Sequence, residues 1–353
     1  MTFVIGNKSF SLEEFIVHCE KSNLTHLRTI RNVLTSWYDT SENMVLQTSG
    51  STSQSKTITL KKEYMRMSAL KTQSYFGYKS RATAILCLPV KYIGGMMMLI
   101  RALLSNLRLI IVEPSSNPLF GIEEKIDFLP MTAAQMSASL DSNFSQVCHV
   151  NKILLGGGPV SPALHHQLQS IDTKCYHSFG MTETISHVAI RQLNGAGNSD
   201  VFHAIDGVQF SVDADDCVII SGDHIEQDVM TNDVVQLIDM YSFMWKGRKD
   251  NVINSGGIKL YPELIEPKIS ELIDSPYFIA SIEDDRYGSI VCLFIESKDG
   301  SNIIKINESL SSQLTAYEIP KKTYAVSKFV MTETGKIQRQ KSIELAVSEN
   351  NIF

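Results

Sequence analysis

Apolar residues recur at helical spacing early in the chain, with Leu12, Phe15, Ile16 and Cys19 on one stripe and Ser9 or Ser11 as a cap, so residues 1–43 are expected to be mostly helical. Two short apolar runs follow, Met44-Val45-Leu46 and Ile58-Thr59-Leu60, which read as strands joined by a hydroxyl-rich turn. The pattern then predicts a helix over Lys61 to Tyr75, a buried strand over Ala84 to Leu88 ending at Pro89, and an apolar helix after LPVKYIGG. Leu107 to Val112 is a further strand, and Asp127 to Leu140 reads as strand or loop followed by helix. KILLGGGPVSPALHHQLQ is a strand running through a glycine turn into a helix, with Ser161 and Pro162 supplying cap and first-turn chemistry. Between residues 201 and 250 the runs shorten to strands with tight turns, as a small antiparallel sheet requires.

From Leu260 onward the pattern changes again. A helix is expected through Leu264, Ile265, Ile269, Leu272 and Ile273, then strands at Phe278 to Ile282 and Ile290 to Ile295, then one more helix and strand, which together make a small α+β unit. Gly247-Arg248-Lys249-Asp250 is a polar break before it. The expected organisation is therefore α/β over 1–249 and a C-terminal α+β domain over 250–353.

Composition narrows the function classes. With 353 residues, 43% of them hydrophobic, the chain can bury a core large enough for more than one domain. The net charge of -6, with basic residues interspersed among acids, points away from nucleic acid and anionic membranes. Its apolar run Tyr92 to Ile100 is bounded by Lys91 and Arg101 and falls short of the ~20 residues a bilayer requires. No leader pattern opens the chain, so a cytoplasmic protein is expected. Cysteines 19, 87, 148, 175, 217 and 292 form no CxxC pair, several sit in apolar runs, and all are expected as buried thiols. His165 and His166 are adjacent, without metal-ligand spacing, and are expected at the surface.

Several stretches carry candidate chemistry. Thr48 to Lys56, TSGSTSQSK, offers backbone N–H groups at Gly50, hydroxyls at Thr48, Ser49, Ser51 and Thr52, and the charge of Lys56, which suit polyphosphate, although Ser/Thr-rich segments are usually solvated loops. It is not a P-loop, because no glycine precedes Lys56 and a strand follows. The bare backbone of Gly156, Gly157 and Gly158 suits a flat ligand or simply a tight connection. In CYHSFGMTET, Phe179 presents an aromatic face, Gly180 a turn, Thr182 a hydroxyl and Glu183 a hard oxygen ligand for a metal. Gly94 and Gly95 permit tight helix packing or shape a pocket, and Lys91 is a solvated charge or a partner for a substrate carboxylate.

These stretches, in this order, resemble the acyl-adenylate-forming enzymes, the acyl-CoA synthetase and luciferase superfamily. TSGSTSQSK is similar to its phosphate loop [ST]SG[ST]TGxPK, with Ser53 and Ser55 in place of glycine and proline; GGGPVSPAL to GGAPLSPEL; HSFGMTE to YGMTE; TNDVVQL to TGDxxxx; GRKDNVINSGGIKLYPELIE to GRxDxxIxxxGxxIxPxEIE; and TGKIQR to [ST]GKIxR. The resemblance runs from about Val45 to Arg339. It implies a large, here shortened, N-terminal adenylate-forming domain and a small mobile C-terminal domain.

The resemblance also implies roles. Thr48, Ser49, Gly50, Ser51, Thr52, Lys56, Gly156, Gly157, Gly158, Phe179, Gly180, Asp233 and Arg248 would bind ATP or AMP, Asp233 and Arg248 at the ribose. Thr182, Glu183 and Lys336 would be catalytic, Glu183 also holding Mg2+; Asp250 would be the hinge, Gly256 and Gly257 would line the CoA tunnel, and Tyr92, where the family tends to have histidine, and Gly94 would line the acyl pocket. The implied reaction joins a carboxylic acid to CoA through an acyl-adenylate. Compact size, LPVKYIGG and HSFGMTET are most similar to the short o-succinylbenzoate:CoA ligases of menaquinone synthesis. Another aryl- or acyl-CoA ligase, a carrier-protein adenylating enzyme, and a degenerate nucleotide-binding relative that is not an enzyme are the alternatives. The implied partners are small molecules, with homo-oligomerisation left open.

Overall fold

The structure is a computed structural model that describes residues 1–47, 57–285, 288–297, 300, 303–331, 337–349 and 352–353. Contacts divide it into two units, one comprising Met1–Ser211, Ile219–Met230 and Leu237–Met244, the other Val212–Val218, Thr231–Gln236 and Trp245–Phe353. Strands Val208–Val212, Cys217–Gly222, Val229–Asp239 and Ser242–Arg248 each contribute residues to both.

In the first unit, six strands run parallel in the order Thr2–Ile5, Arg108–Ile111, Thr83–Leu86, Ile126–Thr132, Val150–Gly156 and Lys174–Met181. Lys8–Phe10 pairs antiparallel outside the first of these, and Ser186–Gln192 and then Val201–Ala204 pair antiparallel beyond the last. The parallel strands read as continuous apolar runs because both faces are covered. One cluster packs Ile85, Ile110, Leu129, Ile153 and Leu155 with Met136, Leu140 and Leu164. Helix Ile93–Leu104 is apolar nearly all round, and Met96 to Ala102 are buried.

The opening residues correct the helical expectation. Thr2–Ile5 and Lys8–Phe10 form a hairpin, because Thr2-Phe3-Val4-Ile5 is a β-prone run and Gly6, at φ 54°, turns the chain back. Helices begin at Leu12–Lys21, where Ser11 and Glu14 form a capping box, and continue with Thr25–Tyr38. Strands Asn43–Gln47 and Thr57–Lys61 pair antiparallel as expected; the phosphate-loop candidates Thr48, Ser49, Gly50, Ser51, Thr52 and Lys56 between them lie outside the described residues.

In the second unit, Tyr277–Asp284 pairs antiparallel with Gly288–Glu296, which pairs parallel with Lys322–Val326. Both faces of this sheet are covered. Ile279, Val291, Leu293 and Ile295 face one cluster with Ile265, Ile269 and Ile303; Phe278, Phe294 and Tyr324 face another with Phe329 and Ala346. The single helix expected through Ile273 is instead the α-turn Pro262–Ile265 followed by the 3-10 turn Glu266–Ile269, because Pro267 lacks the N–H that would continue an α-helix. The terminal helix Arg339–Glu349, absent from the sequence reading, covers the second face through Ala346.

All six cysteines are free thiols; five are buried and Cys148 is exposed, at the end of the short helix Phe144–Cys148. No helix among the described residues is long and apolar enough to cross a membrane.

Candidate functional site

The carboxyl ends of the parallel strands are the first place to look for a site, because ligands in open α/β sheets bind in the crevices there. Val150–Gly156 delivers Gly156, Gly157 and Gly158 at that edge, and its neighbour Lys174–Met181 delivers Phe179 and Gly180. Beyond Cys87, at the end of Thr83–Leu86, come Tyr92 and Gly94. The first unit therefore brings the glycine turn and the Phe179 to Glu183 block together on adjacent strands.

Each glycine has its own local reason. Gly156 is confined by Ser178, whose Oγ would lie 2.8 Å from an added β-carbon. Gly157 sits at φ 82° and makes the turn, whereas Gly158 has open space around its α-carbon. The Gly158 carbonyl accepts from His177 Nε2–H at 3.1 Å, while His177 Nδ1 accepts from Arg191 Nε at 3.4 Å. That pairing defines the neutral Nε2–H tautomer. Burial, reinforced by the Arg191 charge, brings the His177 imidazole down to about 4. Ser178 Oγ donates to the Leu155 carbonyl at 2.9 Å, a second stitch between the two strands.

The Phe179 ring is half-buried, edge-on to Phe243 at 5.1 Å and tilted against Phe202 at 5.9 Å. Gly180 lies opposite His187 at a bulge, where any β-carbon would collide with the Ser186 carbonyl. Beyond it, the turn at Thr182 and Glu183 is held by Thr184. Its buried Oγ1 accepts from Met181 N at 2.9 Å and lies within hydrogen-bond reach of the carbonyls of Met181, at 3.1 Å, and Ser186, at 2.7 Å. Thr182 is half-buried and its carbonyl accepts from Ile185 N at 3.0 Å; Glu183 is exposed. Ile185 and Ser186 follow at φ 56° and 105°, strained for residues with side chains. Two buried groups hold them, Ser68 Oγ donating to the Ile185 carbonyl at 3.3 Å and Arg101 Nη2 to Ser186 Oγ at 2.8 Å. Burial takes the Arg101 guanidinium down to about 10, so it remains a cation at neutral pH.

Tyr92 caps helix Ile93–Leu104, half-buried, with Lys91 Nζ 4.8 Å from its ring centroid. Gly95 is the glycine this helix needs for packing, because an added β-carbon would lie 2.5 Å from the Pro89 carbonyl; at Gly94 it would meet only Leu88 Cδ1, at 3.4 Å.

A second group of expected residues gathers in the second unit. Asp233, 7% exposed, accepts from Trp245 Nε1–H at 3.0 Å. Arg248 Nη1 lies 3.7 Å from its other oxygen, and Arg248 Nη2 lies 3.6 Å from Asp250. Burial raises the Asp233 carboxyl above the ordinary carboxylate range, against the opposing pull of Trp245 and Arg248. Asp250 sits in the 3-10 turn Lys249–Asn251 and accepts from Asn232 Nδ2 at 3.4 Å. Gly256 and Gly257, at φ 56° and 83°, are the two central residues of the hairpin between Ile253–Ser255 and Ile258–Leu260, a turn that itself requires positive φ at both. Lys336 lies outside the described residues.

No three His, Cys, Asp or Glu side chains among the described residues gather as a metal cage. An exposed Glu183 nonetheless fits Mg2+, which takes one or two carboxylates and completes its shell with phosphate and water. His177, Ser178, Thr184, Arg101 and Trp245 had no role in the sequence reading. His177 alone carried a signal, since it shares a strand face with Phe179 at a spacing of two.

Comparison with known proteins places the chain in a family. Residues 36–213 match the family described as AMP-binding enzyme. A 2-succinylbenzoate–CoA ligase of Staphylococcus epidermidis is 27% identical over 338 residues, covering 87% of this chain and 71% of the relative. The crystal structure of an acyl-CoA synthetase (AMP-forming)/AMP-acid ligase II-like protein from Dyadobacter fermentans is 33% identical with a TM-score of 0.63, covering 92% of this chain and 97% of that one. The o-succinylbenzoate CoA synthetase of Bacillus subtilis, solved with its acyl-adenylate, shares the fold at a TM-score of 0.72 and 16% identity, over 84% of this chain and 68% of that one.

Proposed function

Because the chain belongs to the AMP-binding enzyme family, we propose that it is an ATP-dependent carboxylate:CoA ligase whose acid is o-succinylbenzoate. The observation that carries this reading is the meeting of Gly156–Gly158 with Phe179–Glu183 on adjacent strand ends, within the stretch matched to the family. The acid is taken from the named activity of the Staphylococcus epidermidis relative.

In the first half-reaction a carboxylate oxygen attacks the α-phosphorus of ATP, the phosphorus–oxygen bond to pyrophosphate breaks, and acyl-adenylate forms. Two anions must approach, so positioning and charge neutralisation make up most of the catalysis. Thr48 to Thr52 and Lys56 hold the phosphates, Gly156 to Gly158 and Phe179 the adenine, and Asp233 with Arg248 the ribose. Tyr92 and Gly94 border the acyl group. Thr182 donates to phosphate and Glu183 holds Mg2+, which when bound supplies positive charge beside the phosphates. Lys336 neutralises the reacting carboxylate and the bridging oxygen.

In the second half-reaction the sulfur of CoA, having lost its proton, attacks the acyl carbonyl carbon, and the bond to AMP breaks. Lys336 serves the first step and must leave for the second. A rotation at Asp250, the hinge between 1–249 and 250–353, meets that need and brings in Gly256 and Gly257 for the thiol.

The test is pyrophosphate release with ATP and Mg2+ across a panel of carboxylic acids, with and without CoA, beside Lys336→Ala. Release that depends on o-succinylbenzoate, yields AMP and acyl-CoA with CoA present, and vanishes in Lys336→Ala is the expected result. ATP binding without acid-dependent release on a broad panel would overturn the ligase in favour of a nucleotide-binding relative.

A further inference from the structure

Asp233 is held by more than its own backbone. Its N–H donates to Thr231 Oγ1 at 3.1 Å, and Thr231 Oγ1 donates on to the Val218 carbonyl at 2.8 Å, so the residue's main chain is fixed. The carboxylate is fixed separately, by the indole of Trp245 at Oδ1. Indole nitrogen is a donor only, so this contact cannot be satisfied by a rotated or inverted partner. A carboxylate has about four lone-pair sites, and the indole takes one. Arg248 Nη1, at 3.7 Å, is too far from Oδ2 to hydrogen-bond to it.

We propose that Trp245 is the positioning residue for nucleotide-ribose recognition, locking Asp233 in the orientation that presents Oδ2 as acceptor to a vicinal diol. A phenylalanine or aliphatic side chain at 245 would fill the space and leave Asp233 free to turn about its side-chain torsions. With the indole present, the carboxylate is pre-oriented and little freedom is lost when hydroxyls bind. The inference rests on the reading of Asp233 as the ribose residue and adds the group that makes it selective.

The experiment is equilibrium binding by calorimetry of ATP and 2′-deoxy-ATP to the full chain and to Trp245→Phe and Asp233→Ala, with folding of each checked by circular dichroism. Wild-type protein should prefer ATP, and Trp245→Phe should bind ATP about tenfold more weakly while 2′-deoxy-ATP weakens less, so that the preference shrinks. A general loss of packing would weaken both nucleotides alike. An unchanged preference in folded Trp245→Phe, with the preference lost in Asp233→Ala, overturns the role of Trp245 alone. If Asp233→Ala keeps the preference, or wild-type protein shows neither preference nor binding, the ribose reading of Asp233 falls and takes this inference with it. Should Trp245→Phe not fold, Trp245→His, in which the ring donor is displaced, carries the same expected fall and the same refuting result.

Discussion

The Oγ of Ser178 stands in the space that a β-carbon on Gly156 would enter, 2.8 Å from that position. The glycine that opens the Gly156–Gly158 turn is thus paired with a particular hydroxyl on the next strand. Gly156→Ala is expected to push Ser178 away from the Leu155 carbonyl and weaken ATP binding about tenfold, the scale of one hydrogen bond lost together with a misplaced turn. Adding Ser178→Ala removes the obstructing atom, so the double variant should bind better than Gly156→Ala alone. Calorimetry of the three proteins decides, and simple additivity would mean that the two residues do not share this space.

Two buried histidines, His187 and His224, and the partly buried His177 give the protein a defined response to acid. Burial lowers His177 to about 4, and it lowers His187 and His224 as well. A histidine whose folded pKa lies below its unfolded one adds protons first in the unfolded chain. Stability is therefore complete above the ordinary histidine range and is lost as pH falls through it, toward the folded value. Each such group contributes a slope of at most about 1.4 kcal/mol per pH unit. Denaturant titrations from neutrality to about pH 5 should show this decline, and His177→Gln should flatten it while keeping a donor for the Gly158 carbonyl. A decline that His177→Gln leaves unaltered would exclude His177 as a contributor.

Gly94 and Gly95 should separate cleanly although they are adjacent in one helix. At Gly95 a methyl group would strike the Pro89 carbonyl, and Gly95→Ala is expected to destabilise by about 1–3 kcal/mol. Gly94 has room, and Gly94→Ala should gain up to about 1 kcal/mol of helix stability. Thermal unfolding measures both. If Gly94 borders the acyl group, the stabilised variant should also show a raised KM for the acid with an unchanged KM for ATP, and unchanged values for both would remove it from the pocket.

Thr184→Val keeps shape and deletes the hydroxyl that ties Met181 to Ser186. The expected cost is about 1–3 kcal/mol of stability, since buried polar groups lose their partner. Misplacement of Thr182 and Glu183 on the order of an ångström should lower kcat by roughly 100-fold. A variant that loses stability and keeps its turnover would show that the turn need not be held so closely.

Much of this was legible because local chemistry and tertiary structure agree. Ser161-Pro162 starts the helix Pro162–Leu168, Gly256-Gly257 turns a hairpin, and apolar runs such as KILL became covered parallel strands. The blocks that resemble the acyl-adenylate-forming enzymes single out Gly156 to Gly158 and Phe179 to Glu183, which the structure brings to adjacent strand ends. What escaped depends on register between distant segments. His177 meets Gly158 only because their strands pair side by side, and Arg101 reaches Ser186 across 85 residues. Trp245 meets Asp233 only because residues twelve apart on neighbouring strands face each other, a pairing that local pattern does not encode. The opening hairpin departs from the helical expectation because the apolar stripe that begins at Leu12 does not reach back over the β-prone run Thr2–Ile5. Pro267 stands inside a helical pattern whose spacing survives the break, since two consecutive turns of different pitch still direct Ile265 and Ile269 to one core.

Ile185 and Ser186 keep side chains at backbone angles that glycine would adopt without strain. An engineer optimising this protein for heat resistance alone would be drawn to Ser186, since glycine there relaxes the main chain, whereas Ile185, 3% exposed, would lose its burial. Ser186→Gly would also remove the hydroxyl through which Arg101 grips the turn. The shortest route to a hardier protein therefore runs through its candidate site, and variants chosen by melting temperature without an activity screen would tend to be robust and idle.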